Sequence, residues 1–373
     1  MNSFRSFFGL DSVTLNIILP LGISFYIFSA LAYLIDVYRG DYPAEKNLLN
    51  FALYIAFFPK LTAGPIVRGR DFFPQVKEYR GIQWDAFKAG IQIFIFGLFK
   101  KIVLADHLGV FVDDVFHVPT AFNTGTVILA AISYSLQIYF DFSGYSDMAI
   151  GISKILGFDF KPNFNLPYIA QNVSEFWKRW HISLSSWFQD YLYIPLGGSR
   201  KGAARTYINL MIVMLISGLW HGAGWTFIVW GALHGVASCV NKACGKKMKA
   251  LGFWINGAIT FIFVTLFWVV FRADSFSTAV KVWIGMFTAH TGISQPYTWS
   301  FFAIACLITG TIIAWRHSRI IGKKDKTGKQ IIDGFYPVLD LSKFWNQVVF
   351  FTFCGLTIIM GYFGNTAFIY GAF

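Results

Sequence analysis

Two of the seven histidines in this 373-residue chain sit where a side chain could do chemistry. His221 lies in Trp220-His221-Gly222-Ala223-Gly224, inside the stretch 206–241, which contains no Asp, Glu, Lys or Arg. An ionisable group in such a run is costly and is by default a functional-site candidate. The glycines beside it let another molecule approach the ring closely. His181 recurs with Trp177, Trp180, Leu184, Trp187 and Phe188 at three- and four-residue spacing, which places it on the apolar face of a helix. Taken alone, His181 reads as a core histidine bonded to a backbone carbonyl. Taken together, two histidines from different elements could supply proton transfer and orientation within hydrogen-bond reach, ~3 Å or one bridging water. Trp180 and Trp220 each adjoin one of them, so the four residues are expected to line one water-poor site.

The other candidates read as structure. Asp141 and Asp147 are six residues apart, which does not put them on one helical face, so a metal pair is unconvincing. Ion pairing with Lys178 or Arg179 is the expected use of these carboxylates. His234 shares an apolar helix with Trp230 and reads as packing, while His107, His117, His290 and His317 fall near span ends or loops, where solvent is the default. The four cysteines form no CxxC pair and no regular spacing, so neither a disulfide framework nor a zinc site is expected. Gly64-Pro65, followed by Arg68, Arg70 and Asp71, reads as a turn ending a re-entrant segment.

These residues are positioned by elements whose solvent is partly lipid. The chain is 55% hydrophobic, 19% aromatic and 13% charged, against roughly 25% charged in an average soluble domain. That excludes a disordered chain and makes an ordinary soluble enzyme a poor fit. No charged residue occurs in 12–35, 115–140, 206–241, 250–271, 282–315 or 344–373. A helix needs about 20 apolar residues to cross a ~30 Å hydrocarbon core, so the chain reads as a single all-α, polytopic transmembrane bundle over 1–373. Runs 47–59 and 89–99 fall short of a crossing and read as re-entrant or steeply buried segments. The first apolar run is longer than the core of a signal peptide, lacks a small-residue cleavage site and ends at Asp36.

Between these runs, Asn172 followed by Glu175 resembles a capping box and starts a helix that Pro195 and Gly197-Gly198 end. Its tryptophan face and cationic face suit a membrane interface. With both flanks of 206–241 on one side, Thr206–Leu219 and Trp225–Val240 form a hairpin of limbs ~21–24 Å long. That length seats the turn bearing His221 at or just below the hydrocarbon boundary.

The motifs Trp180-His181-Ile182-Ser183-Leu184-Ser185, Tyr191-Leu192-Tyr193-Ile194-Pro195-Leu196-Gly197-Gly198 and Gly218-Leu219-Trp220-His221-Gly222 resemble the membrane-bound O-acyltransferase (MBOAT) family. Ile138–Asp147, Leu61–Pro65 and Ile35–Gly40 are similar to the same family in the same order. Within it, Leu196-Gly-Gly-Ser-Arg200 and the terminal Phe368-Ile-Tyr are similar to the alginate O-acetylation branch; the teichoic-acid D-alanylation branch shares the Trp-His-Ile-Ser-Leu segment. Family members usually have further membrane helices before the position matching Val13, so this chain is expected to lack the first of them.

The resemblance implies transfer of an acyl group, acetyl in this branch, from a cytoplasmic thioester (acetyl-CoA or an acylated carrier) to an acceptor hydroxyl across the membrane. His221 matches the family's membrane histidine and is the expected general base; His181 matches its second polar histidine and is expected to orient the acceptor or stabilise developing charge. Trp180, Trp220, Asp141 and Ser183 are the expected substrate contacts. No metal and no tightly bound cofactor is expected. The expected partners are the lipid bilayer, an exported polysaccharide acceptor and a secreted or anchored acyltransferase that completes the transfer, with no nucleic acid, in a bacterial inner membrane. The competing class is a transporter or a non-catalytic scaffold. Transporters often show internal repeats, and none is found here.

The net charge of +12 comes from 31 Lys and Arg against 19 Asp and Glu. The positives gather at 200–205, 242–249 and 316–329, while 272–297 holds only Arg272 and Lys281. The positive-inside rule then assigns the three basic groups to the cytoplasm. A reporter fused after Phe373 is therefore expected outside, and tags placed within 242–249 or 323–329 inside; cytoplasmic fluorescence from the C-terminal fusion would overturn the placement of the last span.

Overall fold

A computed structural model describes residues 22–79, 81–248, 251–318 and 335–364. The chain start, Val13, the basic residues Lys249 and Arg319–Lys329, and the terminal Phe368-Ile-Tyr lie outside the described residues. The described chain is helical, with a lone β-bridge between Phe122 and Ile293. In order the helices are α1 (Ile23–Arg39), α2 (Leu48–Ala56), α3 (Gly69–Lys77), α4 (Trp84–Leu98), α5 (Asp106–His117), α6 (Thr124–Ile155), α7 (Val173–Arg179) and α8 (Ile182–Phe188). They continue as α9 (Gly202–His221), α10 (Trp225–Met248), α11 (Phe253–Arg272), α12 (Phe276–Phe287), α13 (Thr298–Ser318) and α14 (Phe344–Ile359). Four of them, α6, α9, α11 and α13, are long and apolar enough to cross a membrane. The charge-free run 282–315 is not one span, since it holds the end of α12, a loop and most of α13.

The charge-free run 89–99 is not a short segment either. A π-helical stretch, Phe99–Ala105, joins α4 to α5, so Trp84–His117 is one helical rod about 50 Å long. Lys100 and Lys101 interrupt the run in sequence but are neutralised within the protein. Lys100 Nζ meets Asp147 at 2.6 Å, and Lys101 Nζ meets both Asp141 and Asp106 at 2.7 Å. The π turn makes this pairing possible. The Asp106 backbone N–H donates to the Lys101 carbonyl five residues back, which brings those two side chains to one face. Asp141 and Asp147 thus pair with Lys101 and Lys100, not with Lys178 or Arg179, because α4 and α6 lie backbone against backbone. A Cβ on Gly97 would fall 2.5 Å from the Gly144 carbonyl, and one on Gly90 2.6 Å from that of Gly151. Such small-residue seams allow close approach where lipid provides no hydrophobic drive between helices. On its other sides α6 is bonded through Ser133 to Ser300 at 2.7 Å and through Ser135 to Thr265 at 3.0 Å.

The hairpin limbs also exceed their expected lengths. Helices α9 and α10 have 20 and 24 residues, about 30 and 36 Å. They run past Arg205 and Lys242, whose long side chains can reach a polar layer from within a span. Limb length therefore does not seat the His221 turn below the boundary; packing against α11 buries it. The α2 segment, nine residues, stays shorter than a crossing.

Lys101 is 7% exposed and is the cation shared by two buried carboxylates. Removing one partner of a buried ionic cluster typically costs about 3–5 kcal/mol. Lys101→Met is therefore expected to lower thermal stability in detergent sharply, with Lys101→Arg milder; a Met variant as stable as wild type would contradict the role given to this cluster.

Candidate active site

The segment expected to form one helix across 173–194 breaks at Trp180-His181. Asn172 caps it as expected, its Oδ1 accepting the Glu175 backbone N–H at 2.9 Å. His181 then takes φ 43°, ψ 55°, the left-handed region, which costs an L-residue about 1–2 kcal/mol. The cause is an irregular stretch folded back from eighteen residues upstream. The Ile182 N–H donates to the Asn163 carbonyl at 2.8 Å, and the Asn165 N–H donates to the Arg179 carbonyl at 2.9 Å. Backbone groups that a continuous helix would pair internally are spent on 163–165 instead.

Asn163 also fixes the imidazole. Its Oδ1 accepts from the Ser183 backbone N–H at 3.1 Å and from Ser183 Oγ at 2.8 Å, and it lies 3.3 Å from His181 Nδ1. The backbone N–H is a donor only, so the Asn163 atom facing it is the oxygen and not the amide nitrogen. His181 Nδ1 must then be the donor, which leaves the lone pair of the neutral ring on Nε2. That atom is buried and has no hydrogen-bond partner among the described residues. The isolated reading of His181 as a histidine held by a backbone carbonyl is thus replaced: a side-chain amide holds it. Ser183 is committed as well, since its Oγ accepts from the Ile66 N–H at 3.0 Å while donating to Asn163.

The two histidines meet through one tryptophan. Trp220 lies 4.6 Å from the His221 ring and 6.4 Å from that of His181, between centroids. From His221, ring contacts pass to Trp230 at 5.2 Å, Trp268 at 5.6 Å and Trp180 at 5.0 Å. They return through Phe164 at 5.0 Å and Phe142 at 5.1 Å to His181 at 4.6 Å. Trp180, His181, Trp220 and His221 therefore belong to one closed circuit of eight aromatic rings drawn from α6, α9, α10, α11 and the 164–181 segment. His181 is 1% and His221 4% exposed. Close approach of the hairpin limbs sets the position of His221, since a Cβ on Gly218 would fall 2.3 Å from the Phe227 carbonyl.

Asp141 is not part of this circuit; Lys101 holds it, and its neighbour Phe142 supplies the ring against His181. His234 is fully buried and accepts from Trp177 Nε1 at 3.3 Å. His107 and His290 are packed rather than solvated: His107 stacks on Trp299 at 3.7 Å, and His290 Nδ1 donates to the Phe122 carbonyl at 3.0 Å. Among the described residues no group of three His, Cys, Asp or Glu side chains has a metal-binding arrangement. Asn163 is the residue the sequence reading passed over.

The model of the membrane-bound O-acyltransferase family matches residues 43–273, which include Asn163 and both circuit histidines. The chain belongs to that family. It is 47% identical over 290 residues to a probable alginate O-acetylase of Pseudomonas putida, covering 77% of this chain and 59% of that protein. It is 41% identical over 306 residues to a peptidoglycan O-acetyltransferase of Helicobacter pylori, covering 73% and 58%. A teichoic acid D-alanyltransferase of Bacillus subtilis is 29% identical over 280 residues, 70% of each chain. This family member thus spans a little under three-fifths of the length of the first two relatives.

The tautomer is directly observable. Nitrogen-15 spectra of the imidazoles should show His181 protonated at Nδ1 in the wild-type protein, and Asn163→Leu should abolish that preference. A wild-type ring protonated at Nε2 would contradict the geometry.

Proposed function

We propose that this chain forms the membrane-embedded part of an O-acyltransferase. An acyl group, acetyl by likeness to the alginate and peptidoglycan relatives, passes from a thioester at the basic end of the bundle to a hydroxyl reaching the circuit from the opposite side. The observation that carries this reading is the circuit itself, in which two histidines from different elements share Trp220 and are shut away from water. Burial of this kind excludes hydrolysis of the thioester and strengthens every interaction with developing charge.

In the proposed step His221 accepts the proton of the acceptor hydroxyl as its oxygen attacks the thioester carbonyl. Collapse of the tetrahedral intermediate breaks the carbon–sulfur bond, and the thiolate takes the proton back from His221. One ester and one thiol form from one alcohol and one thioester. His181 has a different part. With Nδ1–H committed to Asn163, its Nε2 can accept but not donate. A ring in that state cannot hydrogen-bond an oxyanion, but it can take the hydrogen bond of a neighbouring hydroxyl. Of the two roles expected for it, orienting a polyhydroxylated acceptor is the one this tautomer supports.

The relatives named for alginate, peptidoglycan and teichoic acid support an acceptor among bacterial envelope polymers. They also support a place in the bacterial inner membrane, where an exported acyltransferase would complete the transfer. In membranes supplied with a labelled acyl thioester and the exported acceptor system, His221→Ala is expected to reduce transfer by ~10²–10⁴-fold, the usual contribution of a general base, with insertion unchanged. A loss below tenfold would remove His221 from the base role.

A further inference from the structure

The described end of the bundle nearest the basic residues Arg200–Arg205 carries a second cluster of polar groups, separate from the aromatic circuit. Arg68 and Arg70 converge on one carboxylate oxygen of Asp190, at 3.3 and 3.9 Å. Arg39 Nη1 reaches the Asp190 backbone carbonyl at 3.5 Å. The guanidinium groups of Arg68 and Arg39 lie over the Tyr191 ring, 4.5 and 5.6 Å from its centre. The other carboxylate engaged there, Asp36, accepts the Tyr191 hydroxyl at 2.6 Å and is 4% exposed.

This cluster is short of an anion. Charge-assisted N–H···O bonds run about 2.7–2.9 Å, and the Lys100 and Lys101 pairs of this protein reach 2.6–2.7 Å, yet both Asp190 contacts are longer. Three guanidiniums share two carboxylates, of which Asp190 alone bonds them while Asp36 is taken by the Tyr191 hydroxyl. Arg68 is 5% exposed, and its Nη1 is buried without a hydrogen-bond partner among the described residues. A guanidinium fork presents two parallel donors that suit a phosphate better than a single remote carboxylate oxygen.

We propose that Arg68, Arg70 and Arg39 form a binding site for a phosphate ester, with Asp190 as the resident carboxylate that the phosphate displaces. The acyl-transfer reading is needed only to name the ester as that of the thioester donor. The spacing fits such a donor. From Asp190 to His181 the chain is helical over nine residues, roughly 13 Å along the axis. A phosphopantetheine arm has roughly thirteen bonds between phosphorus and sulfur, about 15 Å at the 1.1–1.2 Å per bond of an extended chain. An arm held by its phosphate at Asp190 is thus long enough to span the stretch of helix back to His181.

The test compares binding of 4′-phosphopantetheine and pantetheine, which differ by one phosphate, to the full chain in nanodiscs of phosphatidylcholine and, separately, with phosphatidylglycerol added. The wild-type protein should bind the phosphorylated arm at least tenfold more tightly, and Arg68→Gln should bring that ratio close to one. Arg68→Lys should retain part of the preference. Should Arg68→Gln fail to fold, Arg70→Gln on the half-exposed side should still lower the ratio. Asp190→Asn should tighten phosphopantetheine binding by removing the competing carboxylate. Equal affinity for the two arms, a ratio unchanged by Arg68→Gln and Arg70→Gln, or weaker binding in Asp190→Asn would overturn the site. Phosphatidylglycerol abolishing the preference would also overturn it, in favour of a lipid headgroup site. Phosphate-dependent binding without any acyl transfer would leave the site standing and sink the transfer reading instead.

Discussion

A polar group surrounded by hydrocarbon has to find its partner in the protein, because no water is there to serve. That constraint shapes this bundle from its central seam outward. Helices α4 and α6 can lie against each other only because Gly90, Gly97, Gly144 and Gly151 let their backbones touch. The four lysine and aspartate side chains on that seam, with Asp106, are tolerable only because the π turn lets each reach an opposite charge. Phe142 follows Asp141 on α6 and points about 100° round the helix from it, so the rotation of α6 that brings Asp141 to Lys101 also sets the direction in which Phe142 meets the His181 ring.

The same constraint gives the histidines their meaning. The groups that hold His181 are bonded in series within the protein: the Ile66 N–H donates to Ser183, Ser183 donates to Asn163, and Asn163 accepts from the imidazole. The chain of bonds stops at Nε2, a buried acceptor without a partner among the described residues, on a ring packed against Phe142 and Phe25. The left-handed backbone at His181 is the cost of placing the ring there, and the 163–165 stretch holds it in place. Strain and an unsatisfied acceptor at the same residue are the features on which the proposed acceptor-orienting role of His181 rests.

What could be read from the sequence was local or periodic. The Asn172 cap acts three residues away, and the Trp177–Phe188 face follows helical spacing, so both survive even though the helix itself breaks. Counting charges failed where charges are neutralised or can reach a polar layer. Lys100 and Lys101 disguised a continuous rod as a short run, and Arg205 and Lys242 made the hairpin limbs seem shorter than they are. Asn163 left no local signal, because its role exists only once it folds against a residue eighteen positions later. Arg68 was visible as part of a turn, but its unsatisfied fork depends on Asp190, more than a hundred residues on.

The central claim is that His181 and His221 serve one reaction in one enclosure. A double-mutant cycle of acyl transfer with His181→Ala and His221→Ala measures this directly. Residues acting on the same substrate are strongly non-additive, so the double variant should be about as slow as the slower single variant. Two losses that multiply in the double variant would show that the histidines act independently and would contradict the account.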